Sequence, residues 1–152
     1  MTRDELNSFA DALSGILPTI MREFLSRISS EFSKANLTFP QVLILESLHR
    51  DGPMTMSALA RNMVVTGAAV TGLVERLVKC GYATREFDET DRRIIRVKLT
   101  SKGSELVKLF NARRREIVLK TFSGISFADR KNYLRIITRI RDILINERDE
   151  TI

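Results

Sequence analysis

Apolar residues recur along the N-terminal segment at three- and four-residue steps: Leu6, Phe9, Leu13, Ile16, Leu17, Ile20, Phe24, Ile28 and Phe32. That spacing predicts one long helix, more apolar than an ordinary surface helix. Pro18 is expected to kink it, because its ring meets the carbonyl four residues back, near Ser14 and Gly15. Next, "LTFPQVLILESLHRDG" predicts a short buried helix, since Thr38 and Gln41 have capping-box spacing and Asp51-Gly52-Pro53 stops it. "TMSALARNM" predicts another, capped by Thr55 or Ser57, with Leu59, Ala60 and Met63 inward. Past a turn at Val64-Val65, the residues Val70, Leu73, Val74 and Leu77 mark one stripe of a helix that Thr66 caps.

After Gly81, a helix-terminating residue, the period changes from helical to alternating. "YATREFDETDRRIIRVKL" predicts two strands around a polar loop from Asp88 to Arg93, with Ile95, Val97 and Leu99 on one face and Arg96 and Lys98 on the other. Thr100 then caps a helix through "SKGSELVKLFNARRREIVLKTF", and Ser126 with Asp129 opens a last helix to about Asn146. The expected fold is mostly α with a small antiparallel β-hairpin, undivided by any repeat or flexible linker.

A chain of 152 residues can bury about two thirds of its unfolded surface, so a single domain needs no disulfide or metal to fold. The one cysteine forms no internal bridge, no apolar run approaches the roughly 18 residues of a membrane span, and "MTRDELNSFADAL" lacks a signal-peptide pattern. A cytoplasmic protein with no membrane partner is the expectation. Net charge is +6, and residues 76 to 120 supply the whole excess, with 13 basic and 6 acidic side chains. Such asymmetry suits a polyanionic partner, although a solvated basic surface is the alternative.

The helix after Val65 carries almost nothing on its outer side. At about 100° per residue, Ala68, Thr71, Gly72 and Glu75 face away from the apolar stripe, and each glycine costs roughly 1 kcal/mol relative to alanine. Two short helices joined by a tight turn, the second with a small outer face, form a helix-turn-helix whose second helix enters the DNA major groove. A groove about 12 Å wide admits a helix with modest side chains. Thr66, Gly67 and Ala68 would allow close approach, Thr71 could meet a base, Glu75 could accept from cytosine or face solvent, and Arg76 and Lys79 suit phosphates. Small residues would equally let another helix pack closely. The hairpin that follows weighs for DNA, since its tip, Asp91, Arg92 and Arg93, makes a wing able to place arginine in the minor groove, with Asp91 holding one of them.

The stretch "VTGLVERLVKCGYATREFDETDRRIIRVKLTSKG" resembles the MarR family, the multiple antibiotic resistance regulators. The family pattern runs V-T-x-L-V-x-R-L, a basic residue, G, then D-x-R and L-T-x-K-G. Val70, Thr71, Leu73, Val74, Arg76, Leu77 and Gly81 match the first block; Asp91, Arg93, Leu99, Thr100, Lys102 and Gly103 match the second. The resemblance implies a winged helix-turn-helix regulator acting as a homodimer on a pseudo-palindromic operator, most often as a repressor. Residues of about 1–36 and 104–152 would form dimerisation helices, and residues of about 37–103 the DNA-binding lobe. Twofold symmetry would set the recognition helices roughly 34 to 36 Å apart. Ile136, Ile137, Ile140, Ile143 and Leu144, with the apolar first helix, exceed the surface one winged domain needs, an intramolecular pair of helices being the alternative. Family members commonly release DNA on binding a small aromatic or anionic effector, and no motif here identifies one. A peroxide-sensing branch uses a cysteine in the N-terminal helix, which this chain lacks; Cys80 instead closes the recognition helix as a partly buried thiol.

No catalytic, metal or cofactor constellation is expected, with one histidine, one cysteine and no glycine-rich phosphate loop. His49 reads as a helix-end or surface residue, and Arg113 to Arg115 as a solvated face or a subunit contact before a phosphate contact. The competing function is an architectural or protein-interaction module that binds DNA without reading it. RNA binding is weaker still, because only Tyr82 and Phe87 offer stacking rings nearby.

Overall fold

A computed structural model describes residues 2–150, so the outermost ends of the expected domain, Met1, Thr151 and Ile152, lie outside the described residues. The chain divides into two units, Met1–Arg114 and Arg115–Ile152, with the boundary inside a helix. The first unit begins with α1, Arg3–Lys34. The helix continues through Pro18, so the missing amide costs one backbone bond without ending the element. Only the C-terminal part of α1 joins a core, through Ile28 and Phe32. Asn36, in the left-handed region at φ 55°, then reverses the chain, and the Leu37 amide donates to the Phe32 carbonyl at 2.9 Å.

Helix α2, Phe39–Asp51, starts where the Gln41 side chain accepts from the Thr38 amide at 2.8 Å, satisfying one orphan donor of the first turn. A two-residue strand, β1, Met54–Thr55, separates it from α3, Met56–Met63. Of the two expected caps, Thr55 serves: its hydroxyl accepts from the Ala58 amide at 3.2 Å. A three-residue turn leads to α4, Gly67–Lys79, which meets α3 at 108°. The turn opens on Val64 at φ 54°, ψ 46°, a left-handed conformation that a β-branched residue adopts only under constraint.

Strands β2, Ala83–Phe87, and β3, Ile95–Leu99, form the expected hairpin. The sheet has a third, unexpected member: β1 pairs antiparallel with β3, Met54 opposite Val97, giving the order β1-β3-β2. Two residues are too few to show a period in sequence; they pair because the free edge of β3 offers unbonded amides and carbonyls. The core of this unit gathers Val42, Ile44, Leu45 and Leu48 of α2, Leu59 of α3, Val70, Val74 and Leu77 of α4, and Ala83 and Val97 of the sheet. Helix α5, Ser101–Phe122, adds Val107 and Phe110, whose ring meets Phe32 edge-on at 5.1 Å.

The second unit holds the end of α5 and α6, Phe127–Glu150, which runs past the expected end near Asn146. Ser126 caps α6 as expected, accepting from the Asp129 amide at 3.1 Å while its hydroxyl donates to the Asp129 carboxylate at 2.6 Å. Phe122 and Tyr133 pack with centroids 5.3 Å apart. No single helix among the described residues is long and apolar enough to cross a membrane.

Candidate DNA-binding surface

Helix α4 has two unlike sides. Val70, Val74 and Leu77 are fully buried, whereas Gly67, Ala68, Thr71, Gly72, Glu75, Arg76 and Lys79 are all exposed. Thr66 caps the helix as expected, its hydroxyl accepting from the Ala69 amide at 3.2 Å. A Cβ added to Gly67 or Gly72 would meet no atom within 4 Å. The bare face is therefore not a seat for another helix of this chain among the described residues. The Thr71 hydroxyl donates to the Gly67 carbonyl at 2.8 Å, which leaves its methyl and oxygen lone pairs, but not its proton, for an outside partner. Arg76 lies at one edge of the face and donates to Asn36 Oδ1 at 3.2 Å, tying the helix to the reversal after α1.

The C-terminus of α4 is held by residues of the family pattern, with Gly81 ending the helix and Thr100 capping the next one as expected. Gly81, at φ 75°, turns the chain so that the Tyr82 amide donates to the Leu77 carbonyl at 2.9 Å. The Thr100 hydroxyl donates to the Gly81 carbonyl at 2.7 Å and also accepts from the Gly103 amide at 3.0 Å, capping α5. Lys102 donates to the Cys80 carbonyl at 2.8 Å and lies 4.5 Å above the Tyr82 ring, a cation at the negative end of a helix. Gly103 must be glycine: a Cβ there would fall 2.0 Å from the Tyr82 carbonyl oxygen. Cys80 itself is half-buried.

The wing tip is a β-turn. The Ile94 amide donates to the Asp91 carbonyl at 2.9 Å, making Arg92 and Arg93 the two central residues, and both are exposed. Asp91 was expected to hold one of the arginine side chains; its carboxylate instead accepts from the Arg93 amide at 2.9 Å. The guanidinium groups of Arg92 and Arg93 make no hydrogen bond or ion pair among the described residues. Asp88, which sequence reasoning passed over, accepts from the Thr90 hydroxyl and amide, from the Asp91 amide and from Arg96. Those bonds, the Thr90 hydroxyl foremost, hold its carboxyl well below the usual range, so it stays charged.

Outside this surface, Arg114 of the "RRR" run pairs with Glu46 of α2, which places that arginine in the fold. His49 is exposed in the last turn of α2.

Two helices crossing at 108°, the second with an open outer face, followed by a hairpin whose tip arginines are unpaired among the described residues, define a winged helix-turn-helix DNA-binding protein. Residues 35–94 match the model of the MarR family, and over that segment the chain is similar to those transcriptional regulators. It is 24% identical over 127 residues to the HTH-type transcriptional regulator YpoP of Bacillus subtilis, covering 82% of this chain and 90% of that one. It is 28% identical to the HTH-type transcriptional repressor MdtR of the same organism, over 77% of this chain and 78% of the relative. A MarR family protein from Bacillus stearothermophilus shares the fold with a TM-score of 0.83, at 20% identity over 91% of this chain and 97% of that one.

Proposed function

We propose that this protein is a homodimeric, sequence-specific repressor that binds a pseudo-palindromic operator and is released from it by a small effector. The observation that carries the reading is the unobstructed small face of α4 beside a wing whose two arginines have no partner among the described residues. Thr66, Gly67, Ala68, Thr71 and Glu75 would face the major groove, with Lys79 on phosphate and Arg76 shared between phosphate and Asn36. Arg92 and Arg93, their turn closed by Asp91, would enter the minor groove.

Dimerisation is supported by the apolar stripe of α1, where Leu6, Phe9, Ile16, Ile20 and Met21 stay exposed, and by Ile136, Ile140 and Leu144 of α6. Residues of about 1–36 and 104–152 would supply the contact, and residues of about 37–103 the lobe. Repression has support from the named activity of MdtR. Release follows if a small aromatic or anionic effector binds better to a lobe spacing that misses successive grooves, shifting the population by that difference in affinity.

Enrichment of random duplexes at near-physiological salt, with excess competitor, tests the reading. An inverted repeat with half-sites about one helical turn apart is the expected product. Thr71→Ala should then weaken that duplex by about 1 kcal/mol while leaving random DNA unchanged. Binding without any enriched sequence, lost steeply with salt, would leave only a nonspecific architectural role.

A further inference from the structure

We propose that Asp88 is a positioning residue for DNA binding: an acid whose removal weakens the protein's hold on a polyanion, because it sets the turn that presents Arg92 and Arg93. The inference rests on reading the wing as a DNA contact. Asp88 stands where β2 ends, and its own amide donates to the Ile94 carbonyl at 2.9 Å, the last rung of the hairpin. From there its carboxylate reaches both ways. One oxygen accepts from the Thr90 amide at 2.9 Å, the Thr90 hydroxyl at 2.5 Å and the Asp91 amide at 3.2 Å; the other pairs with Arg96 on the opposite strand. One side chain thus joins the two strands to the loop, and Asp91, held by it, accepts in turn from the Arg93 amide. Nothing apolar does this job, since residues 89 to 94 are exposed throughout. A loop ordered in advance does not have to lose that freedom when it meets DNA.

Electrostatics alone predicts the opposite sign. Deleting a carboxylate near phosphates removes a repulsion, and deleting this one also frees the Arg96 cation; both effects favour tighter binding. Only preorganisation favours weaker binding.

The test is fluorescence anisotropy of the full chain on an A·T-rich duplex of about 40 base pairs, long enough for two half-sites one turn apart, over a range of salt. Arg93→Ala should lose roughly 10-fold in affinity, and its logarithmic salt slope should fall by about 1. Asp88→Ala should lose about 5-fold with a smaller slope as well, whereas Glu89→Gln, the same charge change one residue on, should bind as tightly or more tightly. Asp88→Asn should recover part of the loss, because its amide oxygen still accepts from Thr90 and Asp91. In an Arg92→Ala, Arg93→Ala background, Asp88→Ala should cost nothing further, an outcome that general unfolding would not give. A melting curve like that of the unsubstituted chain is expected, since these bonds lie outside the core.

Equal or tighter binding by Asp88→Ala, with Arg93→Ala still weakened, would overturn the inference and leave the wing reading standing. So would a full loss from Asp88→Ala in the arginine-free background. No effect of Arg93→Ala would overturn the wing reading itself, and absence of binding by the unsubstituted protein would overturn both.

Discussion

Helices α1 and α4 each leave a whole face uncovered, and the two faces are opposites. On α1, Phe9 and Met21 are each 60% exposed and Ile20 is 56% exposed. On α4 the open face holds Ala68, Thr71, Gly72 and Glu75, with two glycines whose missing side chains leave only open space. Apolar area left in water forgoes about 25 cal/mol per Å² of stabilisation, so the α1 face favours a soft, apolar partner such as its own copy. The small face of α4 forgoes little and can admit a rigid, hydrated groove. An uncovered face is thus informative through the size and polarity of what it shows.

The largest expected effect breaks the α1 side of this contrast. Ile16→Asp with Ile20→Asp places charges on adjacent turns of the stripe, and should weaken self-association by more than about 4 kcal/mol, counting both subunits. Sedimentation at micromolar concentration should show monomer, and a persistent dimer would move the contact off α1. Next in size, Gly72→Leu sharpens the α4 side by giving its two roles opposite signs. The added side chain has room in the free protein and should stabilise the helix by about 0.5 to 1 kcal/mol, yet cost at least roughly 10-fold in DNA affinity. Unimpaired DNA binding would show that this face does not enter a groove. The smallest effect concerns the turn between the two helices. Val64 is 73% exposed and left-handed, so Val64→Gly should relieve more strain than the glycine adds in chain entropy, raising stability by about 0.5 kcal/mol in urea unfolding. A drop in stability would mean that the side chain of Val64, and not the turn, sets the geometry.

Much of this was legible because it is local. Thr66, Ser126 and Thr100 announce helix starts through hydroxyls that need only reach an amide three residues on, and each does so here. Gly81 and the switch of period after it mark the wing for the same reason. Pro18 leaves the predicted long helix whole because a proline removes one bond while the rest of the helix carries on through its neighbours. The wing arginines were readable as chemistry, but Asp88 was not, since its role depends on Thr90, Asp91 and Arg96 arriving around it at once.

The sequence by itself determined which segments are helix and hairpin, and which faces are apolar, because backbone propensity, capping and hydrophobic period act within a few residues. Only the tertiary structure decided that Lys102 closes α4 over Tyr82, that Arg114 belongs to Glu46, and that β1 joins β3. Those contacts join residues distant along the chain, and such pairings follow from how the core packs, which no local pattern encodes.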